Sequence, residues 1–378
     1  LAAETLQIAG AVTGAGDVEI AAATIEFTNA NSSLNTGAGD LSLVAENTID
    51  LLEVISSGTV EITVLNGDIN DSNDDTNNIT ASRAILSAIN GAIGNSLETE
   101  IGYLEVVSYG NIDITNTGDL IIGGVSELEG IESTYGRVIV RSFGGIEVQE
   151  NVSSYTNLLL WTQDSAVASL DEDILVHSGV TLHSETNYVA LYTDDDLTIE
   201  EQVTLETLSS NIYLRVNYQS ADGVGGVLNL AGNLVTQSPS YRAYLYGSTQ
   251  ADTFWITPSL NSHMSVLADS PANPDLIGDT LYYFLPDGET ATPVPSSEAN
   301  GTLTFTGDYK DIIYNNVETL QQGDPAQLSN QLKIVGTASD DVLTINATDA
   351  NSGTWQLNSG PEVAFSSINE LVFYGLTG

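Results

Sequence analysis

The sequence predicts an all-β fold, a right-handed parallel β-helix followed by smaller β-rich modules, from three observations. One phrase occurs twice in residues 13–58: Thr13-Gly14-Ala15-Gly16-Asp17-Val18-Glu19-Ile20 returns as Thr36-Gly37-Ala38-Gly39-Asp40-Leu41-Ser42-Leu43, trailed by Ala21 and Ile25, then by Ala45 and Ile49. A unit of about 20–25 residues cannot bury its apolar face alone and must stack on copies of itself. Short runs alternate aliphatic and polar residues throughout, and nothing sustains a helical period. Proline is absent from the first 238 residues, and all nine prolines fall from Pro239 onward, which marks an architectural boundary near Tyr246.

Along residues 1–246 the alternation places strands at Val18/Ile20, Leu41/Leu43, Val60/Ile62, Leu104/Val106, Ile112/Ile114, Leu120/Ile122, Val138/Val140, Ile146/Val148, Val189/Leu191, Leu197/Ile199 and Ile212/Leu214. Gly-Asp or Gly-Asn precedes a strand at Gly16-Asp17, Gly39-Asp40, Gly67-Asp68, Gly110-Asn111 and Gly118-Asp119, where glycine is expected to supply a positive-φ corner. Ten to twelve coils at about 4.8 Å each would reach roughly 50 Å. The same alternation fits an antiparallel sandwich, and registration of Val18 on Leu41 separates the two.

The Gly-Asp-[Val/Leu]-x-[Ile/Leu]-x-Ala-x-x-x-Ile phrase resembles the β-helical repeats of filamentous-haemagglutinin-like giant bacterial surface adhesins. It covers residues 13–58 well and 1–246 loosely. Further on, Tyr246-Gly247-Ser248-Thr249-Gln250-Ala251-Asp252-Thr253-Phe254 matches Val335-Gly336-Thr337-Ala338-Ser339-Asp340-Asp341-Val342-Leu343, and Tyr374-Gly375 reads as the opening of a third copy. These are similar to the Gly/Asp repeats of haemolysin-type calcium-binding toxins. They lack the tandem Gly-Gly-x-Gly-x-Asp spacing, so they mark module starts at 247–335 and 336–378 more than a calcium array. Residues 258–295 hold six prolines and read as loop, broken by strands at Leu281–Leu285 and, just beyond, Leu303–Phe305.

Charge excludes whole classes of partner. Fifty-one acidic residues face seven basic ones, a formal net charge of -44, so the chain lacks the Lys and Arg that displace counterions from nucleic acid or hold anionic lipid. Self-repulsion on that scale calls for cations, which points to calcium-rich surroundings outside a bacterial cell. There is no cysteine to form a disulfide or a thiolate metal site, and no apolar run long enough for direct membrane insertion. The first ten residues lack a basic signal-peptide region, and both ends read as cut from a longer polypeptide.

The candidate chemistry is therefore acidic. Asp194, Asp195 and Asp196 form a three-residue corner between strands, and Asp17, Asp40, Asp252, Asp340 and Asp341 recur at motif positions, so all are candidate calcium ligands. Each has an alternative: the corner as a solvated acidic loop, the Gly-Asp residues as caps on their own turn amides. Asp71, Asp74, Asp75 and the run Asp171-Glu172-Asp173 are further acidic clusters. Pectate-lyase-like and polygalacturonase-like phrases are missing around Arg83, Arg137, Arg141, Arg215, Arg242, Lys310 and Lys333, and His177 and His183 read as surface or turn residues rather than general bases. Tyr213, Tyr218, Tyr244 and Tyr246 form either a sugar-binding platform or an aromatic cap on the solenoid end. The expected function is a non-enzymatic, rigid extracellular stalk or filament subunit that meets its own copies, a host or matrix surface, or a polysaccharide. The alternative is a β-helix that binds or degrades polysaccharide.

Overall fold

Repetition of a β-branched, outwardly polar unit has one economical outcome, and the computed structural model shows it. The structure describes residues 4–73, 76–163, 172–219, 223–269, 278–285, 289–297, 299–322, 330–335, 341–358, 362–365 and 368–374. Among them there is no helix; parallel strands wind as the coils of a β-solenoid of about 11 turns. The chain forms two compact units, Leu1–Leu191 with Glu206–Leu208, and Tyr192–Leu205 with Ser209–Gly378. The compositional break at Pro239 lies inside the second.

In the first unit each coil contributes to three columns of strands. One column runs from Thr5–Ile8 through Thr24–Phe27 and Ile49–Leu51 to Leu158–Thr162; the second starts at Ala11–Thr13 and the third at Val18–Ala22. Val18 pairs with Leu41 in parallel register, and Leu41 in turn with Val60. Inward residues therefore stack on their equivalents: Ile25, Ile49, Ile69, Ile93, Ile112, Val138 and Leu158 make one continuous file, each essentially without solvent exposure. Burying one such side chain contributes about 1.5–3 kcal/mol, and β-branched shapes suit the pleat on which they sit. A second file runs Leu43, Ile62, Leu86, Val106, Ile131, Val152 and Leu182 in the third column.

Corners are where a solenoid risks buried, unpaired backbone, and small polar side chains close them. Ser108, Ser133, Ser154 and Ser184 lie in register and buried, and Ser108 and Ser133 donate to the carbonyls of Gly91 and Gly110 at 2.8 and 2.7 Å. Asn116, fully buried, accepts from the Thr99 hydroxyl and the Ile101 amide and donates to the Ile101 and Gly118 carbonyls. Each of these replaces a hydrogen bond that water would otherwise make.

The Gly-Asp corners work differently from the sequence-based expectation. Of the five glycines named there, only Gly118 has positive φ, at 84°. Gly39 and Gly67 are instead required by the neighbouring coil, since a Cβ on Gly39 would run into the backbone of Gly16 and one on Gly67 into that of Thr48; Gly16 itself has open space, and beyond the five a Cβ on Gly136 would meet the backbone of Gly110 and Asn111. The cause is close approach of coils, not a left-handed turn.

The second unit also has parallel columns of strands. Leu197–Ile199, Val227–Leu230, Thr253–Ile256, Thr280–Tyr283, Thr319–Gln322 and Val363–Phe365 pair in succession. Ile212–Arg215, Arg242–Tyr246, His263–Leu267 and Ile312–Asn315 do the same, so parallel pairing passes through Tyr246. Antiparallel strands are inserted between coils: Ala291–Ser297 with Asn300–Phe305, and Leu343–Ala347 with Gly353–Leu357. Pro293 and Pro295 sit in the first insertion, where a strand tolerates a missing N–H better than inside the parallel ladder.

Close glycine packing predicts that Gly136→Ala lowers the stability of the first unit by about 1–3 kcal/mol, the cost of forcing a methyl into packed backbone. Thermal unfolding followed by circular dichroism reads it, and an unchanged midpoint contradicts the packing described.

Candidate functional site

The acidic corner residues that the sequence offers as metal ligands are engaged with backbone. Asp17 Oδ1 accepts the amide of Asp40 one coil later at 3.0 Å, and Asp40 Oδ1 accepts the amide of Thr59 at 2.7 Å. The remaining corners repeat this: Asp68 takes Ala92 N–H, Asn111 takes Arg137 N–H, and Asp119 takes Gly145 N–H, at 2.7–3.1 Å and 24 to 26 residues along the chain. The side chain thus caps the following coil rather than its own turn. Aspartate and asparagine alternate freely here because only one acceptor oxygen is needed.

Asp194 is buried and accepts Gln219 N–H at 2.8 Å; Asp196 accepts Val227 N–H at 2.7 Å; the Asp195 carbonyl accepts Asn217 N–H at 3.3 Å. Asp341 accepts from the Asn358 amide at 2.9 Å. Asp340, Asp74, Asp75 and Asp171 lie outside the described residues. Among the described residues no group of three or more His, Asp or Glu side chains converges in the way that would hold a metal ion.

Asp252 belongs to a second, inverted ladder in the second unit. Its Oδ1 accepts Gly226 N–H, its own amide donates to Asp279 Oδ1, and the Asp279 amide donates to Glu318 Oε2, each at 2.7 Å. Here each carboxylate caps the preceding coil. Asp279 was not singled out from the sequence, although Gly278-Asp279-Thr280-Leu281 repeats the Gly-Asp phrase at the coil interval from Asp252. It is fully buried, and its Oδ2 finds no hydrogen-bond partner. Burial first, then the charges of Asp252, Glu318 and Asp269, push its carboxyl up to about 8. Burial likewise raises Asp252, against the hydrogen bonds from Ser248, Gly226 and Asn217 that favour its anion. Among the described residues neither group has a cationic partner, in keeping with a chain so poor in Lys and Arg.

Other buried acids are satisfied by loops or by arginine. Glu105, without exposure, accepts Val125 N–H at 2.6 Å, Ser126 N–H at 2.9 Å and the Ser126 hydroxyl, while Glu150 accepts Gly124 and Gly130 N–H. Residues 123–130 are thereby wrapped around two carboxylates. Asp113 pairs with Arg137 at 3.0 Å and Arg141 at 2.6 Å. Glu147 is held below the usual carboxylate range by the Gln149 amide and by His177, whose Nε2 lies 2.6 Å from Glu147 Oε1. His183 sits between Glu185 and Glu206, 3.3 Å from each.

Among the described residues, three grooves on the outside of the first unit could meet a ligand, and one of about 760 Å³ is lined by Phe27, Asn29, Leu52, Asp71, Asn73 and Asn95. A shallow groove of about 510 Å³ is lined by Asp17, Glu19, Asp40 and Glu61, with Ile85 and Val125 as apolar walls. A smaller one, about 260 Å³, is lined by Glu132, His183, Glu185, Tyr135 and Tyr155. In the second unit Tyr213 and Tyr244 stack at 5.7 Å, Tyr244 and Tyr246 at 6.1 Å, and Arg215 lies over Tyr218 and Tyr246. Tyr244 and Tyr246 do not cap a coil end, because their strand Arg242–Tyr246 is paired on both sides. No family model, curated protein or solved structure matches the chain.

An acid whose folded-state pKa is raised stabilises the fold only while it stays protonated. For Asp279 that contribution is complete below about pH 4, the ordinary carboxyl value, and is lost as pH rises towards about 8. Asp279→Asn keeps an acceptor for the Asp252 amide and cannot ionise. Its melting temperature should match the parent's near pH 4, exceed it progressively up to pH 8, and keep a constant lead beyond; parallel curves across that range contradict the assignment.

Proposed function

We propose that the chain is a structural and adhesive segment of a large secreted or cell-surface bacterial protein, serving as a stiff stalk or filament subunit outside the cell. One observation carries this reading: in the first unit successive coils are joined by registered backbone, by files of aliphatic side chains and, at the Gly-Asp and Gly-Asn corners, by a side-chain cap on the next coil. Such a stack resists bending, because deforming one joint breaks all three at once. No catalytic residue is assigned, and calcium is the cation proposed to screen the acidic surface. Adhesion would come from repeated weak contacts along the side walls, where outward residues vary without touching the core.

Polysaccharide binding or cleavage is the second reading, favoured by the groove that Asp17, Glu19, Asp40 and Glu61 line. A glycan held there would be neutral or cationic, since four carboxylates repel an anionic one.

Electron microscopy of the purified chain, with calcium and after chelation, tests the first reading. The expected images are narrow, elongated particles of uniform width that associate side by side or end to end when calcium is present. Compact particles of varied outline remove the stalk, and images indifferent to the chelator remove calcium. Turnover of a neutral glycan by the purified chain, abolished in Glu19→Gln/Glu61→Gln, replaces the stalk with the second reading.

A further inference from the structure

The first unit carries an exposed apolar file along one corner. The third-column strands end in register at Val64, Ala88, Ser108, Ser133 and Ser154. Directly after four of those ends stand Leu65, Ile89, Tyr109 and Tyr155, and one residue further on, past Thr134, stands Tyr135; all five are among the exposed large apolar residues of the chain. The three tyrosines stack coil on coil, with ring centroids 4.7 and 5.5 Å apart and planes tilted by 41° and 45°. Tyr135, in the middle, is 57% exposed. Coil geometry explains why the rings stack on one another. It leaves unexplained why side chains of this size face water in five successive coils of a strongly charged protein, since apolar patches of that kind mark interaction surfaces.

What lies beside the file narrows the partner. Glu132, Ser153 and His183 are registered neighbours on the outer face of the adjoining strands, and Glu185 follows Tyr155 at the next coil end. Tyr135, Tyr155, Glu132 and Glu185 all line the 260 Å³ groove. Flat aromatic faces and carboxylates together suit a guanidinium, which stacks on a ring and takes a carboxylate in its plane. The chain uses the same chemistry within itself: Arg83 lies over Tyr103 at 5.4 Å, Arg215 over Tyr218 at 4.6 Å, and Arg137 and Arg141 on Asp113. Another copy of the chain, with net charge -44, is repelled.

We propose that the Leu65–Ile89–Tyr109–Tyr135–Tyr155 corner, with Glu132 and Glu185, is a docking surface for an extended, arginine-bearing segment of a basic partner protein. Its guanidinium groups stack on Tyr135 and Tyr155 and pair with Glu132 and Glu185, while its aliphatic residues cover Leu65 and Ile89. This deepens the adhesive half of the function proposed above and rests on it. The two fail separately: loss of the surface leaves the electron-microscopic test of the stalk untouched.

The test is fluorescence anisotropy of the full chain with three labelled peptides of (Xaa-Gly-Gly)4, where Xaa is arginine, lysine or the neutral isostere citrulline, at physiological salt. The arginine peptide is expected to bind at least threefold more tightly than the lysine peptide, and the citrulline peptide not at all. Tyr135→Ser/Tyr155→Ser should weaken the arginine peptide at least fivefold. Glu132→Gln/Glu185→Gln should do so too, leaving the rings in place and serving if the tyrosine variant does not fold. Glu26→Gln/Glu53→Gln removes the same charge elsewhere and should change binding by less than twofold. The proposal is overturned if that control weakens binding as much as Glu132→Gln/Glu185→Gln, if the arginine peptide does not bind, or if cellohexaose displaces it from the strip.

Discussion

Everything in this molecule depends on how closely one coil can rest on the next. Parallel strands must lie within hydrogen-bonding distance at the corners as well as along the faces, and at a corner a single Cβ is enough to hold two coils apart. Glycine opens the space, and the aspartate or asparagine that follows it reaches across to the adjacent coil's amide. The two residues are one device. Without glycine the amide is out of reach, and without the acceptor it is left unpaired in a crowded place.

That device also accounts for much of the unusual charge. An acid placed beside a backbone N–H is stabilised without a basic partner, since amide dipoles supply the positive end. The chain can then carry fifty-one acids with seven bases and still satisfy Asp17, Asp40, Asp68, Asp119, Asp196 and Glu105. Asp279 shows the limit of the scheme. One of its oxygens is used and the other is buried without a partner among the described residues, and burial pushes its carboxyl up to about 8. With structural needs met inside and at the corners, the outer faces are free to vary, which is where the tyrosine file and the acid-lined groove have arisen.

The architecture was legible because its cause is local and repeated. Thr13–Ile20 and Thr36–Leu43 differ only at positions that face out or exchange one aliphatic for another, so Val18 resting on Leu41 follows from the words themselves. The direction of each cap was not legible. Asp17 could equally cap its own turn, and only the spacing between coils decides that it reaches Asp40. Positive φ was inferred for glycines whose true constraint is a neighbour about twenty residues away, information a single strand-turn phrase does not hold. Asp279 was missed although its Gly-Asp phrase is intact, because its burial comes from packing between coils. The tyrosine file was missed because it shows only when Tyr109, Tyr135 and Tyr155 are spaced by the coil length rather than along one strand.

Registered stacking can be measured directly in solution, and the absence of native cysteine makes site labelling clean. Glu19 and Glu61 both register on Ser42 from opposite sides, so they stand two strand spacings apart on one outer face. With nitroxide labels at Glu19→Cys and Glu61→Cys, electron paramagnetic resonance should report a separation of about 10 Å. A distance beyond about 20 Å would mean that these coils do not rest on one another in register, and the account given above would fail with them.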